Sequence, residues 1–194
     1  MNIACVIGNG NSRKIFDLER IGNHMTTYGC NALYRDYIPN YLISMDILMV
    51  CEIIENDIHR QTKFYTQHTN KMDQLAEDGE PINFFWGERE TKDSGNSAVK
   101  LASKNSDIVY MIGFDYSIEG KLSNIYLNTK NYAKNENKPA CDFQDTKWKQ
   151  TLGGIIRNNP ATKFIRVNGN NNPLSITNDN YQEITIEQFK ELYE

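Results

Sequence analysis

The first strand and the turn after it constrain the fold of this chain more than any other stretch. Residues Ile3 to Ile7 are all apolar, and the turn residues Gly8 to Ser12 follow them directly. A continuous apolar run of this length predicts a strand buried on both faces, as in parallel sheets. Glycines such as Gly8 and Gly10 let a turn bring its backbone close to a ligand. The pattern therefore predicts a ligand site at the turn.

The turn departs from both well-known glycine fingerprints for phosphate binding. Arg13 stands where the dinucleotide motif G-x-G-x-x-G requires its third glycine, and the motif G-x-x-x-x-G-K-[ST] is absent. The backbone N–H groups of the turn could still form a concavity for phosphate. An ordinary connection from a strand to a helix explains the same residues equally well.

Composition limits the class of protein. The 194 residues fit one domain, and a net charge of -4 argues against a broad nucleic-acid interface. No apolar run reaches the length of a membrane span. The four cysteines are far apart, which indicates reduced thiols and a cytoplasmic protein; they are Cys5, Cys30, Cys51 and Cys141.

Short strands and helices alternate along the chain. Strands are predicted at 3–7, 25–34, 41–46, 63–67, 82–86, 107–115 and 163–168, and helices at 12–20, 46–57, 70–79, 93–103, 143–158 and from 185 onward. This alternation predicts an α/β fold, a Rossmann-like three-layer α/β/α sandwich with a mostly parallel sheet, as one domain over 1–194. Residues 116–142 are polar and without a period, which makes them a candidate lid.

Polar residues follow several of the predicted strands. Asn9, Asn31, Asp46, Asp115 and Asn168 each stand where an apolar run ends. Ligands of open α/β sheets bind outside the carboxyl ends of the strands, so these side chains are expected to gather along one edge. As the residue before a helix, Asp46 is explained equally well as a helix cap.

Four segments of this chain together resemble a known family. They are Gly8-Asn-Gly-Asn-Ser12, Cys30-Asn-Ala-Leu-Tyr34, Ser94-Gly95 at the start of a helix, and Gly113-Phe-Asp115 at the end of a strand. In this order they are similar to motifs of the bacterial CMP-sialyltransferases that act on lipooligosaccharide, and of the related MptE-like and flagellin-glycosylation proteins. The resemblance spans roughly residues 3 to 116, and a phage member of this group would fit it.

The resemblance implies a single Rossmann-like domain that transfers a sugar from a CMP-activated donor without a metal. It places Asn9 and Ser12 near the phosphate and ribose, and Asn31 against the nucleotide. It places Ser94 and Gly95 at a helix N-terminus that meets the phosphate or the sugar. Tyr116 and Tyr126 are the candidates for the two tyrosines that stabilise the departing phosphate.

One feature of that family is missing here. The sialyltransferases carry a histidine base after the Gly-x-Asp strand, whereas His24, His59 and His68 all precede Ser94. A buried aspartate could take the proton instead, because desolvation raises the pKa of a carboxylate; the candidates are Asp115, Asp142 and Asp145.

These observations favour a metal-independent glycosyltransferase-like enzyme that binds a nucleotide-activated sugar, with Asp115, Tyr116 and Tyr126 as its catalytic candidates. The ligand-binding candidates are Gly8, Asn9, Gly10, Ser12, Asn31, Asp46, Ser94 and Gly95. One alternative is an MptE-like pterin diphosphokinase that uses ATP and Mg2+, with Asp46 and Asp115 as metal ligands. Another is a non-catalytic nucleotide-binding or interaction module. The expected partner is a small nucleotide or nucleotide-sugar, with no cofactor, nucleic acid or membrane span, and the family resemblance is compatible with a homo-oligomer.

Overall fold

A parallel β-sheet forms the centre of the molecule. The structure, a computed structural model, describes residues 1–85, 93–118, 121–132, 138–168 and 172–194. The strands of this sheet are β1 (Ile3–Ile7), β2 (Thr26–Cys30), β3 (Tyr41–Ile43), β4 (Lys63–Thr66), β5 (Asn83–Phe84), β6 (Ile108–Ile112), β9 (Lys163–Val167) and β10 (Tyr181–Ile184). Every neighbouring pair in it is parallel. The short strands β7 (Ser117–Ile118) and β8 (Lys121–Leu122) form a separate antiparallel hairpin.

The order of the strands is β10-β9-β6-β1-β2-β3-β4-β5. The chain builds outward from β1 to β5, crosses back, and continues with β6 on the other side of β1. The order of connection therefore reverses between β1 and β6. Loops that leave the carboxyl ends of two such strands diverge, and the crevice between them is the usual ligand site of open α/β sheets.

Helices cover both faces of the sheet. They are α1 (Leu18–His24), α2 (Ile47–Glu55), α3 (Asn70–Glu77), α4 (Ser94–Asn105), α5 (Lys138–Asn158) and α6 (Ile186–Lys190). Alternate residues of β1 point to opposite faces: Ala4 and Val6 pack with α4 and α5, and Cys5 and Ile7 pack with α1 and α6. The prediction of a Rossmann-like three-layer α/β/α sandwich with a parallel sheet is confirmed.

Two predicted helix boundaries were wrong. Ser12 does not cap a helix; Asn11–Ile15 forms a 3-10 turn, and the Asp17 side chain caps α1 by accepting a hydrogen bond from the Arg20 amide. The helix also runs past the predicted end at residue 20, through Gly22 to His24; a Cβ at residue 22 would lie 2.3 Å from the Tyr37 hydroxyl, so this glycine permits close packing inside the helix.

The second half of the chain also differs from the predicted elements. Helix α5 begins at Lys138, inside the predicted loop, and runs unbroken through Gly153 and Gly154 to Asn158. Strand β10 (Tyr181–Ile184) was not predicted. Trp86, the last residue of the predicted fifth strand, lies outside the described residues, as does the side chain of Asp142.

Candidate functional site

The turn after β1 lies directly against the end of β6. Gly8 donates its amide to the Ile112 carbonyl at 2.8 Å, and Gly10 donates to the Gly113 carbonyl at 2.8 Å. A Cβ at Gly10 would lie 2.5 Å from Cγ of Asp115 and 2.6 Å from the Gly113 oxygen. Gly113 itself has a φ of +68°, which favours glycine. These glycines therefore let two strand ends approach each other across the switch point.

Asp115 fastens the turn in place. One carboxylate oxygen accepts hydrogen bonds from the Ser12 amide and from the Ser123 hydroxyl, both at 2.8 Å, and the other accepts from the Ser12 hydroxyl. The Asp115 side chain is buried. Its three donors come from two separate loops, so this carboxylate joins the turn after β1 to the segment after β8.

Asn31 joins the ends of β2 and β3 to the start of α4. It adopts a left-handed conformation, with a φ of +51°. Its Oδ1 accepts from the hydroxyls of Ser44, at 2.9 Å, and Ser94, at 2.7 Å, and its Nδ2 donates to Asp46 at 3.0 Å. Ser94 also accepts the Met45 amide at 3.0 Å. This network fixes the relative positions of three elements at the carboxyl edge of the sheet.

A cavity of about 500 Å³ opens at this edge, between the ends of β1 and β6. Nine of the predicted site residues line it: Gly8, Asn9, Gly10, Asn31, Asp46, Ser94, Gly95, Asp115 and Tyr116. Its apolar wall includes Leu48, Phe114, Leu127 and Trp148. Ser12 and Tyr126 are not among the described residues that line the cavity.

Helix α4 begins at the cavity. Asp93 caps it, accepting the Asn96 amide at 2.7 Å and the Asn96 side-chain Nδ2 at 3.0 Å. Burial raises the pKa of Asp93, hydrogen bonds from Asn96 oppose that rise, and the charge of Asp46 adds to it. Ser94 and Gly95 form the first turn, where backbone N–H groups and the helix dipole favour an electron-rich ligand.

Three residues that line the cavity carry a buried polar atom without a hydrogen-bond partner. The atoms are Oδ1 of Asn9, Oδ1 of Asn96 and the hydroxyl oxygen of Tyr116. Burying a polar group without a partner costs about 1–3 kcal/mol. Native proteins keep few such groups, and those that they keep are often satisfied by water or a ligand.

The two candidate tyrosines occupy different environments. Tyr116 lines the cavity with a φ of +60°, and burial raises the pKa of its phenol although the nearby Arg166 charge opposes that rise. Tyr126 is buried behind the turn, where its hydroxyl contacts Arg13 at 2.8 Å and donates to Asp36. Arg13 also pairs with Asp36 at 2.7 Å. The structure therefore brings Tyr116, but not the hydroxyl of Tyr126, to the cavity.

Arg35, like Arg13, binds the segment 121–132, which is part of the candidate lid. Arg35 donates to the Thr129 hydroxyl at 2.8 Å and to the Lys130 carbonyl at 2.7 Å, and pairs with Glu52. Asn131 donates to the other oxygen of Glu52 at 2.8 Å. These contacts attach the segment to α2 and to the turn after β2.

Several cavity residues were not predicted from the sequence. Asp93 is the first residue of the predicted helix 93–103, and Asn124 and Tyr132 lie in a segment whose pattern gives no reason to select single residues. The unpredicted polar residues of the lining include Asp93, Asn96, Asn124, Asn131 and Tyr132. The abundance of asparagine in the segment was the one available signal.

The metal-ligand candidates Asp46 and Asp115 both line the cavity, whereas the candidate base Asp145 does not. No described residue of its lining is a histidine. Asp145 accepts the Ser117 amide at 2.8 Å and pairs with Lys149 at 2.6 Å, outside the lining. In the part of the chain that the structure describes, no group of three His, Cys, Asp or Glu side chains could hold a metal ion.

Comparisons with known proteins leave the family open. No protein-family model matches the chain, and neither a curated protein nor a solved structure matches it significantly. Within the described ranges, no helix is long and apolar enough to cross a membrane. The cavity and the residues around it are therefore the basis for any functional assignment.

Proposed function

We propose that this protein binds a nucleotide or nucleotide-activated sugar at the switch point and acts as a metal-independent glycosyltransferase-like enzyme. The observation that carries the proposal is the cavity between β1 and β6, with its polar end and its apolar wall. Its volume of about 500 Å³ falls within the range of roughly 300–1,000 Å³ that small-molecule sites occupy. Its position is the one at which open α/β sheets bind nucleotides.

The chemistry would be displacement at the anomeric carbon, with the nucleotide as leaving group. The N-terminus of α4 at Ser94 and Gly95 offers N–H groups to an anionic oxygen, and the buried Tyr116 hydroxyl lacks a partner. Among the cavity carboxylates, Asp93 fits the base best, because burial raises its pKa towards the range in which it can take a proton. Both carboxylates accept hydrogen bonds, Asp115 from Ser12 and Ser123 and Asp93 from Asn96, so the raised pKa of Asp93 is the reason for preferring it.

The diphosphokinase remains a second candidate because two carboxylates, Asp46 and Asp93, lie at the cavity, and the charge of Asp46 contributes to the raised pKa of Asp93. Mg2+ is commonly held by one or two carboxylates together with substrate phosphates. If Mg2+ binds here, Asp46 and Asp93 would hold it, and it would neutralise the phosphates of ATP.

A thermal-shift screen with CMP, UDP, GDP and ATP, each with and without Mg2+, tests these functions. A ligand at a hundredfold excess over its Kd stabilises the folded state by about 2.7 kcal/mol, which raises the Tm of a domain of this size by roughly 5–11 °C. A shift with CMP or UDP that needs no metal supports the transferase, and release of the sugar from the activated donor then measures turnover. A shift with ATP that requires Mg2+ supports the kinase, and binding without turnover supports a binding module.

A pair of glycine variants locates the binding site. Gly95 lines the cavity and a Cβ there meets nothing closer than 3.6 Å, so Gly95→Leu adds a side chain at the cavity wall with little strain. Gly154→Leu makes the same change on α5, where the nearest atom to a Cβ, on Arg157, is 3.9 Å away. The nucleotide shift should disappear in Gly95→Leu and persist in Gly154→Leu. Absence of any shift in the wild type would refute the nucleotide site.

A further inference from the structure

The hydroxyl of Tyr132 lies among cavity-lining asparagines and is surrounded by donors. Asn9 Nδ2 and Asn124 Nδ2 both approach the Tyr132 oxygen at 3.1 Å. Tyr132, Asn9 and Asn124 all line the cavity. The direction of each bond decides where the phenolic hydrogen can point.

Backbone partners fix the orientation of both amide groups. Asn9 Nδ2 also lies 3.1 Å from the Cys30 carbonyl oxygen, which can only accept, so the atom between Cys30 and Tyr132 must be the nitrogen. Asn124 Oδ1 accepts the Tyr126 amide at 3.0 Å, and this amide can only donate, so the other end of Asn124 is its nitrogen. An exchange of oxygen and nitrogen in either side chain would leave two acceptors or two donors facing each other.

The Tyr132 oxygen therefore receives two N–H donors, and its own hydrogen has to be directed elsewhere. No described residue accepts a hydrogen bond from this hydroxyl. Burial raises the pKa of Tyr132, and the hydrogen bonds from Asn124 and Asn9 lower it without cancelling that rise. The phenol thus keeps its proton at neutral pH, and the surrounding amides orient it.

We propose that Tyr132 is a ligand-contacting residue of this site, and that its O–H donates a hydrogen bond to an acceptor oxygen of the bound nucleotide. The proposal rests on the proposed function, since it assigns a residue to the same cavity. The acceptor is either a phosphate oxygen or a carbonyl or hydroxyl oxygen of the nucleoside. Asn9 and Asn124 act as positioning residues, because they turn the phenolic hydrogen towards the cavity.

The test compares the Kd values of CMP and cytidine, measured by calorimetry, for the wild type and four variants. Tyr132→Phe removes only the hydroxyl. It should weaken CMP binding about fivefold to tenfold for a neutral acceptor, and more than tenfold for an ionised one. Loss with CMP alone assigns the bond to the phosphate, and equal loss with both probes assigns it to the nucleoside.

Asn124→Asp gives a readout that a purely structural role would not produce. The new carboxylate can still accept the Tyr126 amide, but its second oxygen accepts from Tyr132 and turns the phenolic hydrogen away from the ligand. This variant should lose about as much affinity as Tyr132→Phe, and the double variant should lose no more than either alone. Additive losses in the double variant would overturn the positioning role of Asn124.

Tyr34→Phe is the matched control, because the Tyr34 hydroxyl donates to Glu52 and Tyr34 is not among the described residues of the cavity lining. Its Kd values should equal those of the wild type. Unchanged CMP and cytidine affinity in Tyr132→Phe would overturn the inference and leave the nucleotide site standing. Failure of the wild type to bind any nucleotide would overturn the proposed function, and this inference with it.

Discussion

Replacement of Gly10 by alanine tests whether the contact between the turn and β6 holds the site together. Gly10 has a φ of -66° and a ψ of 153°, a conformation that alanine adopts freely, so any cost comes from packing. The new Cβ would lie 2.5 Å from Cγ of Asp115 and 2.6 Å from the Gly113 carbonyl oxygen. Neither atom can move aside, because Asp115 is hydrogen-bonded by Ser12 and Ser123, and the Gly113 oxygen accepts the Gly10 amide.

The size of the effect follows from two opposing contributions. Overpacking a tight site costs about 1–3 kcal/mol, and the immobile neighbours place Gly10→Ala at the upper end of that range. Alanine also lowers the conformational entropy of the unfolded chain, which stabilises the folded state by about 0.4–1 kcal/mol. We expect Gly10→Ala to lose about 2 kcal/mol of unfolding free energy, and with a urea m-value of about 2 kcal/mol/M its midpoint should fall by about 1 M.

Urea titration followed by far-UV circular dichroism measures this loss, with Gly95→Ala as the control. A Cβ at Gly95 meets nothing closer than 3.6 Å and falls in the first turn of α4, so this variant should stay within about 0.5 kcal/mol of the wild type or gain stability. Equal midpoints for Gly10→Ala and the wild type would refute the role assigned to this close approach.

Two further predictions concern ionisable groups. Burial acts to raise the pKa of Glu52, but hydrogen bonds from Tyr34, Arg35 and Asn131 outweigh it and hold the pKa below the ordinary value of 4.5. The resulting stability is present above pH 4.5 and is lost as the pH falls further. The Tm measured from pH 7 to pH 3 should therefore drop less in Glu52→Gln than in the wild type. A steeper acid loss in Glu52→Gln would contradict this assignment. Burial raises the pKa of the Cys30 thiol to about 12. Iodoacetamide at pH 8 should therefore label the half-buried Cys51 in the folded protein, and Cys30 only after unfolding. Mass spectrometry of peptides measures the labelling. Equal labelling rates of Cys30 and Cys51 in the folded protein would contradict the burial of Cys30.

The architecture could be predicted because its determinants are local. The apolar run of β1 and the helical spacing in α4 each reflect burial that the sequence records within a few residues. Strand β10 escaped prediction because it lies at the sheet edge, where half-exposed positions leave no apolar run. The helix predicted at 12–20 stopped short of Gly22 because the Tyr37 side chain, which packs against this glycine, lies outside the helical segment of the sequence.

The position of the site could be predicted from the sequence, but its contacting residues could not. Local patterns determine the position, whereas the contacts join residues that are far apart in the chain. The turn at Gly8 to Gly10 was expected to bring backbone close to a ligand, whereas its closest neighbour is the end of β6. Which residues complete the cavity depends on bonds between distant parts of the chain, such as Asn9 with Tyr132. No periodicity encodes such pairs, so the 121–132 segment could be expected to matter, but its contacting residues could not be named.

The central position of β1 has a consequence for synthesis of the chain. Ile3 pairs with Ile108, so the strand that completes the second edge of β1 is made about 105 residues later. At roughly 5–20 residues per second, a ribosome takes about 5–20 s to cover that distance, and the apolar edge of β1 stays unpaired meanwhile. An unpaired apolar strand is a template for pairing with other chains. Slower growth at low temperature, or a chaperone that covers the nascent first half, should therefore raise the yield of folded protein.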